Sequence, residues 1–304
     1  MERRWLGALE ISALGVGTAP FGASPGWRVR WPAQQPREAV RAVHRALDVG
    51  VNWVDTAPFY GWGRAEEIVG RALLGRRDEV LVFTKCGTFP NPEREDLRPA
   101  SIRRDLEQSL RRLCIDHVDL LQFHDADPAT PIEESWAALH ELIREGKVRF
   151  GGLSNHPPEL VERAMAVGQV GALQHQLSLL RRDTEREVLP FAERHGIGVI
   201  VWSPLASGFL TDGFDLASLD DDDFRRRHPF AQLDLRELRR VLRATAERHG
   251  ATMAQVALAW VLTRPAVAGA IVGVRSARES EDLPRAAGLQ LSDPELQALE
   301  AAAP

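Results

Sequence analysis

The stretch VNWVDTAPFYGWGRAEEIVGRALLGRRDEVLVFTK, residues 51–85, reads as strand, helix and strand. Its first run, VNWVDT (51–56), and its last, VLVFTK (80–85), are short and apolar on both faces. Strands of that kind belong to parallel sheets covered on both sides. Between them, residues 64–74 form a helix that Gly75 ends.

The same unit recurs in both directions along the chain. LGVGT (14–18) precedes a helix over 36–48, in which Val40, Val43 and Leu47 fall at helical spacing. After the strand at 80–85, a helix over 99–113 carries Ile102, Leu106, Leu110 and Leu113 on one face. VDLLQFH (118–124) leads to a helix with Thr130 as N-cap, Pro131 in the first helical position and Glu133 completing a capping box. Then come VRFGGLS (148–154) with a helix at 157–167, and GALQHQ (171–176) with one around 184–195. GVIVWS (198–203) opens a long segment before helices near 234–249 and 253–263. GAIVG (269–273) is the last strand, followed by a short helix and a final one near 293–302. Eight strand–helix units without a break in composition predict one α/β domain over 1–304, a (β/α)8 TIM barrel. A doubly wound open sheet is the competing topology. Residues 1–11 are expected to form a small cap over the barrel bottom, and 204–233 an unusually long loop after strand 7. The charge runs in that loop, DDDD at 220–223 and RRR at 225–227, read as solvated surface.

Composition narrows the function classes. With 304 residues, net charge -5 and 44% hydrophobic residues, the chain has no electrostatic pull toward nucleic acid or an anionic membrane. No apolar run approaches the roughly 18 residues of a membrane span, and MERRWLGALEIS lacks a signal-peptide core. Cys86 and Cys114 form neither a disulfide framework nor a metal pattern, so a cytoplasmic setting without a metal is expected. The sequence carries no signal of oligomeric state.

Two rare residues mark the site. Tyr60 is the only tyrosine, and Lys85 and Lys147 are the only lysines among 38 basic residues. Lys147 follows a helix end, where a cation is mildly favoured; Lys85 ends a strand and has no such explanation. In a (β/α)8 barrel the chemistry collects at the C-terminal strand ends. Those ends carry Thr18, Asp55, Lys85, His124, Ser154 and Asn155, Gln174, Trp202 and Arg275 in turn, with Tyr60 just after Asp55. A phenol of ordinary pKa near 10 is a poor acid at neutral pH. An ammonium within about 4–6 Å lowers it, a carboxylate holds that ammonium in place, and a histidine can orient the same substrate oxygen. Such a set donates a proton to an oxygen becoming an alkoxide, and needs a hydride from elsewhere.

At these residues the chain resembles the aldo-keto reductases, NAD(P)-dependent carbonyl reductases on a (β/α)8 barrel, from about residue 3 to 300. The resemblance rests on LGVGTAPFG (14–22), VNWVDTAPFYGWGRAEEIVGRAL (51–73), FTK (83–85), DLLQFH (119–124), GKVRFGGLSN (146–155), WSPLASGFLT (202–211) and AIVGVRS (270–276). It implies Tyr60 as acid/base, Lys85 and Asp55 as its tuning pair, and His124 as orienter of the carbonyl. It also implies a cofactor site with Gly17 and Thr18 at the first strand end, and Ser154, Asn155 and Gln174 on the nicotinamide carboxamide. Trp202 would stack on the ring, and Ser203, Leu205, Ser207 and Leu210 would lie along the pyrophosphate. From Asp212 the loop would cover the cofactor. Arg275 would pair with a 2′-phosphate, favouring NADPH over NADH. The adenine end departs from the pattern: Glu279 and Leu283 stand where relatives place Gln and Asn, and a reduced NADPH affinity is expected. The hairpin before the barrel is short, and no long C-terminal loop follows the last helix.

The implied substrate is a small carbonyl compound, an aldehyde, ketone or aldose, or an alcohol or sugar in the reverse direction. Trp27, Trp31, Phe59, Trp62 and Phe89 would either form an apolar mouth or pack the scaffold. Three other readings are weaker. A Rossmann fingerprint fails because Pro20 stands where the third glycine should follow Gly15 and Gly17. A metal-dependent hydrolase using His124, Asp125 and Asp127 leaves Tyr60 and Lys85 idle, and HDAD reads better as a turn with an Asx contact. A slow, cofactor-sensing binding subunit keeps the tetrad, but no interaction tail accompanies it here. Cys86, beside Lys85, reads as a small packing residue.

Overall fold

In the computed structural model eight strands close into a barrel in which every neighbouring pair is parallel. All residues are described except 24–26, 28, 30, 91 and 92 and the side chains of 89, 90 and 93. The barrel strands are Leu14–Gly17, Trp53–Asp55, Leu81–Cys86, Val118–Phe123, Val148–Ser154, Ala172–Gln176, Val199–Trp202 and Val267–Gly273. Closure rules out the open sheet. Helices such as Pro36–Asp48 and Pro99–Leu113 surround it, the latter burying Ile102, Leu106 and Leu113 against the strands.

Side chains alternate along a strand, so residues two apart share the barrel interior. A lower inward set is apolar, including Trp53, Phe83, Leu120, Ala172 and Ile200. Two residues further along each of these strands stand Asp55, Lys85, Gln122, Gln174 and Trp202. The alternation therefore puts a polar layer directly on an apolar one. Below, the antiparallel hairpin Arg3–Leu6 and Leu9–Ser12 inserts Leu6, Leu9 and Ile11 into the apolar layer, forming the expected cap. A tryptophan fits inside the barrel because its neighbour lacks a side chain: a Cβ on Gly15 would lie 2.2 Å from the Trp53 ring.

Several local expectations change. The helix after the fourth strand is Ile132–Arg144, and Thr130 does not cap it; its hydroxyl donates to Asp127 Oδ2 at 2.6 Å. A small hairpin, Thr88–Pro90 with Glu93–Glu95, follows the third strand and was not expected. The charge runs in the connection after Trp202 are solvated only in part: Asp220, Asp221, Asp222 and Arg227 are exposed, whereas Asp223 is not. The connection folds into 3-10 turns, and Asp223 is 4% exposed, accepting from the Arg225 backbone N at 2.9 Å and its guanidinium at 2.6 Å. Arg225 lies between the rings of Trp31 and Phe214, at 5.4 and 5.9 Å from their centroids. The long loop is thereby pinned to the loop after the first strand. Among the described residues, no helix is long and apolar enough to cross a membrane.

Candidate active site

Tyr60 sits in a turn that only its neighbours' unusual backbone permits. Gly61, Trp62 and Gly63 all have positive φ, at 63°, 55° and 97°, and swing the chain directly into helix Arg64–Leu73. That helix carries Glu66, fully buried, which accepts from Thr84 Oγ1 at 2.7 Å and Arg112 Nε at 2.6 Å. The contact ties the helix after Tyr60 to the strand that ends in Lys85.

Lys85 is 1% exposed and donates to Asp55 Oδ1 at 2.6 Å, Thr56 O at 3.1 Å and Tyr60 Oη at 3.2 Å. A buried ammonium needs such a set of acceptors to remain charged. Although burial opposes its charge, Asp55 and Tyr60 hold the Lys85 pKa above its ordinary value. Burial pushes the Tyr60 phenol up from 10.0; Lys85 opposes this, and Asp55 and Asp125 reinforce it. The expected depression by lysine is thus present but outweighed, and the phenol stays protonated at neutral pH. The His124 ring stands 6.0 Å from the Tyr60 ring, nearly perpendicular at 86°, with Phe59 edge-on to it at 5.7 Å.

Asn155, at φ 58°, donates to His124 O at 3.2 Å and Asp125 Oδ1 at 2.9 Å, and accepts from Trp202 Nε1 at 3.1 Å. Its amide thus ties the His124 loop to the half-buried Trp202 ring. Gln174 Nε2 donates to Asp55 Oδ2 at 2.9 Å. Ser154 Oγ is buried without a hydrogen-bond partner among the described residues, a costly state that a bound amide would relieve. Thr18 Oγ1 donates to Asp55 O at 2.9 Å, and a Cβ on the adjoining Gly17 would meet Ile271 Cγ2 at 2.7 Å. Thr18 thus ties the first two strand ends together, and Gly17 leaves room for the last strand beside the first.

Along the loop after Trp202, Ser203, Ala206 and Ser207 have positive φ, and Ser203 Oγ accepts from Ser207 N at 3.2 Å. Leu205 is half-buried, whereas Leu210 is fully buried in the core. The Arg275 guanidinium donates to Pro32 O at 2.9 Å and Ala33 O at 3.3 Å, while its buried Nε has no partner among the described residues. Burial lowers its pKa, Glu279 opposes that, and nearby Arg225 adds to it. Glu279 accepts from the Arg275 backbone N at 2.8 Å. Leu283 is 3% exposed and belongs to the core. The Ser154 hydroxyl, the half-buried Trp202 ring and the Arg275 guanidinium, with Arg225 nearby, have the chemistry to meet an amide, a flat ring and an anion.

Of the expected aromatic mouth, Trp27 and Phe59 are 2% and 8% exposed and pack edge to face at 5.7 Å. Trp62 is half-buried against Phe59 at 5.2 Å, and Trp31 contacts Phe224 of the long loop at 4.9 Å. The Phe89 side chain lies outside the described residues. Asp127 accepts from Leu97 N, Ala129 N and Thr130 Oγ1, all within 2.9 Å, which is turn chemistry. Cys86 is buried in the core, and burial raises its thiol pKa well above 9.0. Gln122, fully buried, joins Asp55 and Gln174 and was missed in the sequence. The signal was there: it shares a strand face with Leu120 and His124.

Comparison with known proteins shows the family and the fold. The profile described as Aldo/keto reductase family matches residues 13–304. The chain is 36% identical over 312 residues to the uncharacterized oxidoreductase YrpG of Bacillus subtilis, covering 96% of this chain and 92% of that one. It is 31% identical to the aldo-keto reductase YhdN of the same organism, covering 93% and 87%. The solved structure of the glycerol dehydrogenase AKR11B4 from Gluconobacter oxydans superposes with TM-score 0.89 at 33% identity, over 99% and 94% of the two chains.

Proposed function

The chain belongs to the aldo/keto reductase family and is an NAD(P)H-dependent oxidoreductase, and on that premise we propose that Tyr60 is the proton donor to the substrate carbonyl. The observation that carries this is the sole tyrosine's Oη, 3.2 Å from a buried ammonium that Asp55 holds at 2.6 Å. A nicotinamide dinucleotide held by the residues named below would supply a hydride for the carbonyl carbon. As charge develops on the substrate oxygen, Tyr60 gives up its proton and Lys85 stabilises the phenolate left behind. Asp55 keeps Lys85 charged and in place. His124, across the opening from Tyr60, orients the oxygen.

Ser154 Oγ, Asn155 and Gln174 would meet the nicotinamide carboxamide, with Trp202 against the ring and Gly17 and Thr18 beneath it. Ser203, Leu205 and Ser207 would line the pyrophosphate path, which the side chain of Leu210, fully buried in the core, does not reach. Arg275, whose Nε has no partner among the described residues, favours NADPH over NADH through the 2′-phosphate; Glu279, which already occupies the Arg275 backbone N, stands on the adenine side. Substrates are small aldehydes, ketones or aldoses. The glycerol dehydrogenase relative supports adding short polyols, oxidised in the reverse direction.

The test follows loss of reduced-nicotinamide absorbance with a panel of aldehydes and aldoses, and its gain with glycerol. Arg275→Ala is expected to weaken NADPH roughly tenfold more than NADH, the size of one lost charge-assisted contact. Equal losses for both cofactors would remove the phosphate role. No turnover with any carbonyl or alcohol, from protein that binds NADPH, would contradict the reading.

A further inference from the structure

Asp55 turns its two oxygens to different partners. Oδ1 takes the Lys85 ammonium at 2.6 Å, while Oδ2 faces Gln174 Nε2 at 2.9 Å and Gln122 Nε2 at 3.4 Å. Gln174 Nε2 also donates to Gln122 Oε1 at 3.1 Å. All three side chains are 2% exposed or less. A carboxylate only accepts hydrogen bonds, so both amides must present their NH2 groups to it. Each amide is thereby fixed against rotation, and Gln174 Oε1 becomes the atom turned away from Asp55. Among the described residues it takes no hydrogen bond.

A glutamine directly above Leu120 in a barrel interior has a desolvation cost that an apolar residue would avoid. Here that cost is offset only by the contacts to Asp55 and Gln174.

We propose that Gln122 is a positioning residue for the reaction, its amide bracing the direct Gln174–Asp55 contact from both sides so that the nicotinamide carboxamide site and the proton donor belong to one hydrogen-bonded layer. This rests on the roles proposed above for Tyr60 and Gln174. The groups facing the Tyr60 phenol are Lys85, Asp55, Asp125 and the His124 ring. The amide N–H groups on Oδ2 offset part of the Asp55 charge. Without them the carboxylate draws harder on the Lys85 ammonium and bears more strongly on the phenol, which becomes harder to ionise. A ligand that hydrogen-bonds to Gln174 Oε1 polarises the amide the other way, so cofactor binding eases ionisation of Tyr60.

The sole tyrosine makes the test clean, because protein labelled with 13C at the tyrosine ζ carbon gives one resonance. Its titration without cofactor is compared between the wild type and Gln122→Met, which fills the same volume without a donor. The midpoint is expected to rise by about half a unit, roughly threefold in the ionisation constant, and kcat to fall while KM for the carbonyl changes little. Identical midpoints in two folded proteins overturn the proposal, whatever their activities. If the methionine variant does not fold, Gln122→Asn carries the same comparison. If the chain unfolds before the phenol titrates, the alkaline limb of kcat for reduction reads the same group. Activity in Tyr60→Phe would sink the proton-donor assignment without touching this titration. An unmoved titration beside an inactive Tyr60→Phe sinks only the amide layer.

Discussion

Gly22 and Gly61 meet backbone to backbone: a Cβ on Gly61 would fall 2.2 Å from Gly22 O, and one on Gly22 would fall 2.6 Å from the Tyr60 carbonyl carbon. The loops after the first two strands are thus set against each other at the residue following the phenol. Gly61 also has φ 63°, which disfavours any side chain. Gly61→Ala must displace one loop, and Tyr60 with it. Its kcat/KM is expected to fall about 100-fold, as misplacement by around 1 Å does, with Tm only a few degrees lower. Full activity in this variant would show that the contact does not set the position of Tyr60.

The pH dependence follows from the buried phenol. Reduction needs Tyr60 protonated, and burial holds its pKa above 10.0. Rates of reduction, as kcat/KM, are therefore expected to stay level through neutral pH and fall only in the alkaline range. Alcohol oxidation needs the phenolate and is expected to rise with pH over the same range. A loss of reduction between pH 7 and 8 would assign the proton donor elsewhere.

Asp105, 6% exposed, receives the Gly87 backbone N at 3.0 Å, two residues past Lys85. Burial raises its pKa to about 6, with the Gly87 hydrogen bond opposing. A carboxylate raised in the folded state binds more protons there than when unfolded, so its contribution to stability grows as pH falls through 6 and is lost as pH rises. Between pH 7 and pH 5 the wild type should gain about 1 kcal/mol relative to Asp105→Asn, which keeps an acceptor but does not titrate. Urea unfolding of both proteins at the two pH values checks this. Parallel changes would mean that Asp105 is ionised with an ordinary pKa.

The barrel was legible because strands apolar on both faces leave little choice of architecture, and because Tyr60 and Lys85 are rare in this composition. What escaped depends on contacts distant in sequence. Asp223 reads as one of four acidic neighbours, yet it alone of them is buried, paired with Arg225 where the long loop meets Trp31. The balance at Tyr60 was misjudged for the same reason: the lysine is visible in sequence, whereas the depth of burial that outweighs it is not. The capping-box spacing of Thr130 and Glu133 is the local exception: the helix begins at Ile132 with Pro131 as its N-cap, so Thr130 lies one residue too early. Gln122 lies inside its strand, one inward position before His124, and the alternation with Leu120 and His124 is its only mark in the sequence.

The most direct test of the account is Tyr60→Phe, which removes one oxygen and leaves the ring against Trp27 and His124. NADPH binding, followed by quenching of tryptophan fluorescence, is expected to stay within about twofold of wild type, the range of a contact that does not touch the cofactor. Carbonyl reduction is expected to fall by at least 100-fold, the scale of a lost general acid. Turnover near the wild-type rate in a variant that binds NADPH normally would contradict the assignment of Tyr60 as the proton donor.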